Sequence, residues 1–383
     1  MTETHRAIVR KQGALRVLDH PTPMPKQHEL LVAPLYAGLC GTDIQILRGL
    51  RSEPSPIIGH EGVARVVFSG GDVPDYLAPG TLVCINPTHR DDSSFLLGHN
   101  VEGLFQERVL ITRSAVLGGL VIPLSETFNT ELSTLLEPLA VVHYAFQLLA
   151  EHHPHTLVIF GDGVIGHLAA RAAADLLGAT TRIVHLHHTM RGMDWSRDHG
   201  VPNVQCVLHD EAGAHRLSKR STHERVAVLI ATPRDATLLC LETALRNLSG
   251  ELAIDLVGGL PPGCATQLLP GIDLTSVRAA NCAGSPDPAL RFNVQTSTGR
   301  TVSLVGHRGV AHRHLRAAAA ELTKHPARYR KLITHLVDID EAAAVMSQLA
   351  TSRDRIVNGH RLIKLAVRLS SQGDIPGGPK WLH

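Results

Sequence analysis

The sequence predicts an α/β protein in two parts, a β-rich amino-terminal part followed by a doubly wound parallel sheet. Up to about residue 121, short apolar runs are broken by Gly and Pro, which is typical of an all-β domain. After residue 154, strand-like runs alternate with helices of about 10–15 residues, which indicates parallel strands joined by crossover helices. A chain of 383 residues is also long enough for two domains.

The predicted elements follow in chain order. In the first part we predict strands over 30–33, 63–67 and 82–85, and then a helix over 130–150 that Pro138 should bend or restart. In the second part we predict strands over 157–160, 182–186, 226–230, 252–257 and 302–305. The helices predicted there cover 167–177, 235–245, 312–323 and 339–349.

Charge and composition indicate which class of binding partner to expect. The chain has 37 basic and 35 acidic residues and a formal net charge of +2, so electrostatics give no argument for nucleic acid or an anionic membrane. It shows no amino-terminal signal region and no apolar run near the roughly 20 residues that would span a bilayer. We therefore expect a cytoplasmic protein with a small-molecule partner, no nucleic acid and no membrane.

The six cysteines are scattered and contain no Cys-x-x-Cys motif, which favours reduced core residues over disulfides.

A glycine fingerprint follows the predicted strand 157–160 and opens the predicted helix. It consists of Gly161, Asp162, Gly163, Val164, Ile165 and Gly166. In this context the first glycine permits a tight turn, the second lets a pyrophosphate approach the backbone, and the third lets helix and strand pack closely. We predict that this loop, with Val164 and Ile165, binds NAD(P) at the positive end of the helix. The alternative is a glycine-rich turn in another kind of α/β protein.

The end of the second predicted strand bears on which cofactor is used. An NAD-preferring site places Asp or Glu there, about 20 residues after the fingerprint, to hold the ribose hydroxyls. Here His187 and His188 occupy that position, and Arg191 follows. The missing carboxylate removes repulsion of a 2′-phosphate, and Arg191 could pair with one, so the sequence favours NADP. The alternative is a solvated strand end, with NAD bound through backbone contacts.

Two short motifs precede this loop and carry potential metal ligands. Cys40 lies in Gly-Leu-Cys-Gly-Thr-Asp, and His60 and Glu61 lie in Gly-His-Glu-Gly. A thiolate, an imidazole and a carboxylate are ligands that Zn²⁺ takes in catalytic sites, where one coordination position stays open for substrate. Each residue alone is weak evidence, because a Cys before Gly is usually structural and a Gly-His-Glu triplet arises by chance.

The order of the motifs is more informative than any one of them. With the Leu-Glu-Pro-Leu run at 136–139 and the glycine loop, they resemble the zinc-containing medium-chain dehydrogenase/reductase family, which includes alcohol, sorbitol, threonine and glucose dehydrogenases. The resemblance covers nearly the whole chain. It implies a GroES-like β-rich catalytic domain over 1–145 and a Rossmann doubly wound parallel-sheet cofactor domain over 146–285. Residues 286–383 would complete the cofactor sheet and return to the catalytic domain, with a flexible tail from about 370.

The resemblance also implies roles for individual residues. Cys40, His60, Glu61 and Glu137 would be the metal ligands, with Glu61 binding the metal or alternating with water. Glu137 matches a position that is Cys in some alcohol dehydrogenases and Glu in polyol and sugar dehydrogenases. Thr42 would pass the substrate proton onward. These five residues are the predicted catalytic set.

Two departures from the family pattern follow from the sequence. The lobe at 84–107 carries Cys84, His89 and His99 in place of the four cysteines that hold a structural zinc in many relatives. We therefore expect one catalytic zinc and no structural zinc, with a substitute site from those three residues as the alternative. Gln45 replaces a relay histidine, so the proton would leave through Thr42, the ribose and water, or through Asp43, for which we otherwise expect only a capping or supporting role.

The expected function is zinc-dependent hydride transfer between NAD(P) and a secondary alcohol or ketone of a polyol, cyclitol, sugar or similar metabolite, in a homodimer or homotetramer. One alternative is a redox-neutral epimerase that keeps its cofactor bound. Another is a metal-free relative, either quinone-reductase-like or a non-catalytic cofactor-binding protein. The fold does not specify the substrate, because one fold hosts many.

Overall fold

The computed structural model describes residues 3–11, 13–210, 213 and 224–370. The chain divides into two compact units, one of Met1–Glu137 with Leu315–His383 and the other of Pro138–His314. The first unit is rich in β-strands and the second contains a parallel sheet, so the predicted α/β class is confirmed. The predicted domain limits at 145 and 285 stay a prediction. The predicted flexible tail lies almost wholly outside the described residues.

The strands are numbered in chain order. They are β1 (Thr4–Lys11), β2 (Ala14–Pro21), β3 (Leu30–Gly38), β4 (Glu61–Ser69), β5 (Leu82–Ile85), β6 (Val109–Ile111), β7 (Val121–Pro123), β8 (Thr156–Phe160), β9 (Arg182–His187), β10 (Val204–Leu208), β11 (Arg225–Ile230), β12 (Glu251–Asp255), β13 (Asn281–Cys282), β14 (Phe292–Gln295), β15 (Thr301–Val305), β16 (His307–Arg308), β17 (Ile333–Asp338), β18 (Ile356–Val357), β19 (His360–Arg361) and β20 (Lys364–Arg368).

The α-helices are numbered in the same way. They are α1 (Gly41–Leu47), α2 (Arg113–Leu117), α3 (Leu136–Ala150), α4 (Val164–Leu177), α5 (Met190–His199), α6 (Thr237–Asn247), α7 (Leu274–Ala279), α8 (His312–Lys324), α9 (Pro326–Arg330) and α10 (Ile339–Thr351). Short 3₁₀ turns cover Asp75–Leu77 and Thr130–Leu135.

The main sheet of the first unit has the order β17-β20-β3-β4-β5-β7, and β6 also pairs with β3. β3 lies in the middle and is buried along almost its whole length. Its antiparallel register pairs Gly38 with Glu61 on one side and with Ala366 on the other. Residues just after β3, at the start of β4 and at the start of β20 are therefore brought together at one place.

The second unit is built on a sheet with the order β10-β9-β8-β11-β12-β15-β14. All neighbouring pairs are parallel except β14 with β15, which is antiparallel. β8 in the middle is buried at every residue, as its continuous apolar run predicts for a strand covered on both faces. β8 leads into the glycine loop, and α4 begins at Val164 directly after Gly163.

The predicted helix over 130–150 is divided in two. Thr130–Leu135 is a 3₁₀ turn and α3 begins at Leu136, which places Pro138 in the first turn of α3, where its missing N–H costs little. The combined segment Thr130–Ala150 is long and apolar enough to cross a membrane, but 78% of its most apolar window is buried inside the protein. That degree of burial is typical of a core helix.

Candidate functional site

Cys40 is the N-cap residue of α1, in the first unit. Its backbone N–H donates to Asp43 Oδ2 at 2.9 Å, and its Sγ accepts from the backbone N–H of Thr42 at 3.4 Å. This reciprocal arrangement is a capping box, so Asp43 has the capping role expected from the sequence. A helix N-terminus also favours the ionised form of a nearby thiol, which is the form that binds metals.

His60 and Glu61 meet Cys40 because of the β3–β4 register. The Cys40 Sγ, a His60 ring nitrogen and a Glu61 carboxylate oxygen all lie within 4.8 Å of one another. His60 is 8% exposed and Glu61 2% exposed. Among the described residues, His60 Nδ1 has no hydrogen-bond partner, and the nearest Asp43 oxygen lies 3.9 Å from it. Three of the four predicted ligands are thus brought together.

Glu137 lies in the first turn of α3 and is not part of that group of three. Burial raises the pKa of Glu137 to about 7, with Glu61 adding to the rise and His60 opposing it. The Glu137 carboxylate therefore interacts electrostatically with His60 and Glu61. Direct ligation by Glu137 stays a prediction.

Cys40, His60 and Glu61 form a largely buried cluster, and the rest of the protein compensates its charges only in part. Burial and the Glu61 carboxylate raise the pKa of the Cys40 thiol, and burial raises the pKa of Asp43. Burial lowers the pKa of His60, but Cys40 and the carboxylates outweigh it and raise that pKa well above its usual value. A buried excess of acidic groups with an unpartnered imidazole nitrogen suits a divalent cation, and the donor set of S, N and O suits zinc.

Lys364 is a site residue that the sequence reasoning missed. It is 1% exposed, its Nζ forms an ion pair with Glu61 Oε2, and it also donates to the Leu39 carbonyl at 3.3 Å. A Cβ on Gly38 would lie 2.6 Å from Lys364 Cε, so the absence of a side chain at 38 makes room for the ammonium. The signal was a single lysine within the apolar run at 362–367.

The two histidines considered for a substitute structural zinc contact other groups. The His99 ring centroid lies 5.2 Å from that of His60, and His99 Nδ1 lies 3.4 Å from a Glu53 oxygen. Burial lowers the pKa of His99 to about 3, with His60 and Arg51 adding to the effect. His89 Nδ1 accepts from the backbone N–H groups of residues 91 and 92. In the described part of the chain, these two histidines and Cys84 do not form a group of converging ligand atoms.

The glycine loop of the second unit has the geometry that the fingerprint implies. Gly161 has φ +111°, and a Cβ there would lie 2.3 Å from the Ala231 carbonyl oxygen. A Cβ on Gly166 would lie 1.9 Å from the Gly161 oxygen, so helix and loop pack without room for a side chain. A Cβ on Gly163 would meet no atom within 4 Å. The N-terminus of α4 thus opens onto free space, as a bound pyrophosphate requires.

The strand-end residues differ in where their side chains lie. His187 is buried, with its ring 4.3 Å from that of His185 and its Nδ1 3.7 Å from Asp162 Oδ2. The reason is strand alternation, which places side chains 185 and 187 on the same covered face of β9. His188 and Arg191 are exposed. Of the three, these two are free to meet a bound cofactor from solvent, whereas His187 packs behind the loop.

Comparisons with known proteins agree with this arrangement. Residues 26–119 match the alcohol dehydrogenase GroES-like domain. The chain is 30% identical to glucose 1-dehydrogenase of Thermoproteus tenax, over 65% of this chain and 73% of that protein. It is 23% identical to sorbitol dehydrogenase of Halalkalibacterium halodurans, over 88% of this chain and 93% of that protein.

Solved structures extend the likeness to the fold of the whole chain. Galactitol-1-phosphate dehydrogenase from Escherichia coli superposes with a TM-score of 0.70 at 19% identity, covering 95% of this chain and 99% of that one. The GroES-like and Rossmann-type architecture expected from the motifs is thereby confirmed. This chain belongs to the zinc-containing medium-chain dehydrogenase/reductase family.

Proposed function

We propose that this protein is a zinc-dependent oxidoreductase that transfers a hydride between NAD(P) and a secondary alcohol or ketone of a polyol or sugar. The observation that carries the proposal is the convergence of Cys40, His60 and Glu61 within 4.8 Å, in a chain that also has an open glycine loop. The named activities of the similar proteins, on glucose, sorbitol and galactitol 1-phosphate, support hydroxyl-rich substrates.

The chain's own residues set up the metal centre. Cys40, His60 and Glu61 would hold zinc, and Glu137 is the fourth candidate. When bound, zinc would act as a Lewis acid that makes a substrate hydroxyl more acidic, and the nicotinamide would accept the hydride. Asp43 fixes Cys40 through the capping hydrogen bond, and Lys364 holds Glu61 by its ammonium. These contacts orient the ligands before any metal binds.

We assign release of the substrate proton to Thr42, the second residue of α1. Its side chain is partly exposed, and it follows the Cys40 ligand by two residues. Gln45 lies one turn further along α1 and has no proton to give or accept at neutral pH. We therefore assign proton transfer to Thr42 and solvent, and Asp43 stays a capping residue.

For the cofactor we propose a preference for NADP. The exposed His188 and Arg191 follow β9, where a carboxylate would otherwise repel a 2′-phosphate. Asp162 near His187 belongs to the glycine loop itself and does not occupy the strand end. We also propose one catalytic zinc and no structural zinc, a cytoplasmic location and a homodimeric or homotetrameric assembly.

A scan of polyols, sugars and the corresponding ketones with both cofactors tests the function. Absorbance of the reduced nicotinamide should change with at least one secondary alcohol, and chelation should abolish the change. An epimerase would convert its sugar without accumulating free reduced cofactor. A metal-free reductase would retain full activity after chelation.

A further inference from the structure

A cavity of about 270 Å³ lies inside the second unit and plays no part in the function proposed above. It lies against the face of the sheet that α4 and α5 cover. Its polar lining residues are His167 and Arg171 from α4, His185 from β9, Ser196 and Arg197 from α5, and Cys206 from β10. This volume lies just below the roughly 300–1,000 Å³ of sites for drug-sized ligands, so the cavity suits a small ligand.

One end of the cavity lies away from the cofactor crevice, although His185 at its other end contacts the glycine loop. Gly200, Val201 and Val204, at the entrance to β10, complete its lining. In a parallel sheet these positions lie at the amino edge, whereas the glycine loop follows the carboxyl end of β8. In doubly wound sheets the dinucleotide binds at the carboxyl edge. A ligand held at the amino-edge end of this cavity would therefore not occupy the place of the cofactor.

The charge of the lining favours an anion. Among the described residues, the cavity is lined by two guanidinium groups, on Arg171 and Arg197, and by no carboxylate. Arg171 is 4% exposed, and it donates to the carbonyls of His167 at 3.1 Å and His199 at 2.6 Å, which fix its position. Arg197 has an exposed partner in Asp194 at 3.4 Å, and such surface pairs contribute only about 0–1 kcal/mol. Arg197 can therefore turn toward a bound anion at little cost.

Ser196 provides an independent indication of a ligand. Its side chain is 4% exposed, it lines the cavity, and its Oγ has no hydrogen-bond partner among the described residues. A buried hydroxyl left without a partner is unfavourable, and native structures usually supply one. A ligand oxygen in the cavity would accept a hydrogen bond from this hydroxyl.

We propose that this cavity is a binding site for a small oxyanion, of the size of phosphate or a short carboxylate, held by Arg171, Arg197 and Ser196. His185 forms a wall of the same cavity and is committed elsewhere, because its Nε2 donates to the Gly161 carbonyl oxygen at 2.9 Å. A substitution of His185 would also disturb the cofactor loop. The test variants are therefore confined to α5.

The test is thermal unfolding of the full-length protein with NADPH present, so that the cofactor's own phosphate positions are filled. NADPH binding is measured first by fluorescence, which separates a failure of cofactor binding from a failure of this site. Inorganic phosphate and acetate are then titrated separately at constant ionic strength. We expect a saturable rise in Tm with at least one of them. Ser196→Ala and Arg197→Gln should each raise the apparent Kd by about tenfold, as expected for the loss of one charge-assisted hydrogen bond.

Arg246→Gln is the matched control, because Arg246 is another exposed arginine paired on its own helix, with Glu242 at 3.0 Å, and it does not line the cavity. Its titration should match that of the wild type. A response to phosphate alone assigns the site to phosphoryl groups, and a response to acetate alone assigns it to carboxylates. The proposal is overturned if neither anion gives a saturable shift, or if the α5 variants and the control respond as the wild type does.

Discussion

The Lys364 ammonium forms a buried ion pair with the carboxylate of Glu61, one of the candidate zinc ligands, and the two side chains are 1% and 2% exposed. The pair is possible because β20 and β4 flank β3, in which Gly38 pairs with Glu61 at the start of β4 and with Ala366 near the start of β20. Two opposite charges buried together depend on each other, since removing one leaves the other unpaired in a low-dielectric interior. Lys364 thus offsets the negative charge of Glu61, although it is not itself a ligand.

Lys364→Met should reduce the free energy of unfolding by about 3–5 kcal/mol, because it leaves Glu61 as an unpaired buried carboxylate. Urea unfolding of chelated protein measures the loss. Adding Glu61→Gln to Lys364→Met should recover much of it, because the remaining charge is removed. Equal stability of the single and double variants would show that the two charges are not coupled.

Glu137→Ala should weaken zinc binding or turnover by at least about tenfold, the usual effect of removing a group that supports a metal centre. The Kd for NADPH should not change, because Glu137 is remote in sequence from the glycine loop and belongs to the first unit. Glu131→Ala is the control, since Glu131 is an exposed carboxylate nearby in sequence that pairs with Arg330 at 3.3 Å. Unchanged kinetics in Glu137→Ala would assign Glu137 to packing.

Much of the fold could be predicted from periodicity and glycine placement. The continuous apolar run at 157–160 and the three glycines after it predict β8, the loop and α4, and the structure has all three. β10 and β14 were missed, because Val204–Leu208 and Phe292–Gln295 are short and partly polar. Edge strands need little apolar sequence, so periodicity alone does not identify them.

The site was predictable only in part. Cys40, His60 and Glu61 were found from motif order, and β3–β4 pairing brings them together. Lys364 lies 303 residues from Glu61, and no local pattern relates them. The orientation of His187 depends on which face of β9 is covered, which the sequence at the strand end does not reveal.

Arg191→Ala should reduce a preference for NADPH over NADH by about tenfold to hundredfold, if its guanidinium pairs with the 2′-phosphate, an interaction of about 1–3 kcal/mol. Fluorescence titration with both cofactors gives the two Kd values. His187→Asp is unsuitable here, because it would bury a carboxylate. If the wild type binds NADH as tightly as NADPH, the preference for NADP is wrong.

Stability should fall with acid partly because of His314. Its Nδ1 accepts from the Ala311 N–H at 3.2 Å and its Nε2 donates to Gln147 at 2.8 Å, so the folded state requires the neutral ring. Burial lowers its pKa from 6.5 to about 3, with Arg313 and His307 adding to the shift. The unfolded chain therefore binds a proton below about pH 6.5 that the folded chain does not, and stability declines from there toward pH 3.

His314→Gln should flatten this decline, because glutamine does not titrate. Urea unfolding at several pH values between 7 and 4 measures the slope, which one titrating group changes by up to about 1.4 kcal/mol per pH unit. His188→Gln, the same substitution at an exposed histidine, is the control. A His314→Gln slope equal to that of the wild type would contradict the assignment.

Zinc titration of chelator-treated protein tests directly whether Cys40, His60 and Glu61 form a catalytic metal centre. Alcohol oxidation is followed by absorbance of the reduced nicotinamide while zinc is added in substoichiometric steps, with metal content measured on the same samples. We expect no activity without metal, a rise that ends at one zinc per chain, and no recovery in Cys40→Ala. Full activity in metal-free protein, or equal recovery in Cys40→Ala, would contradict it.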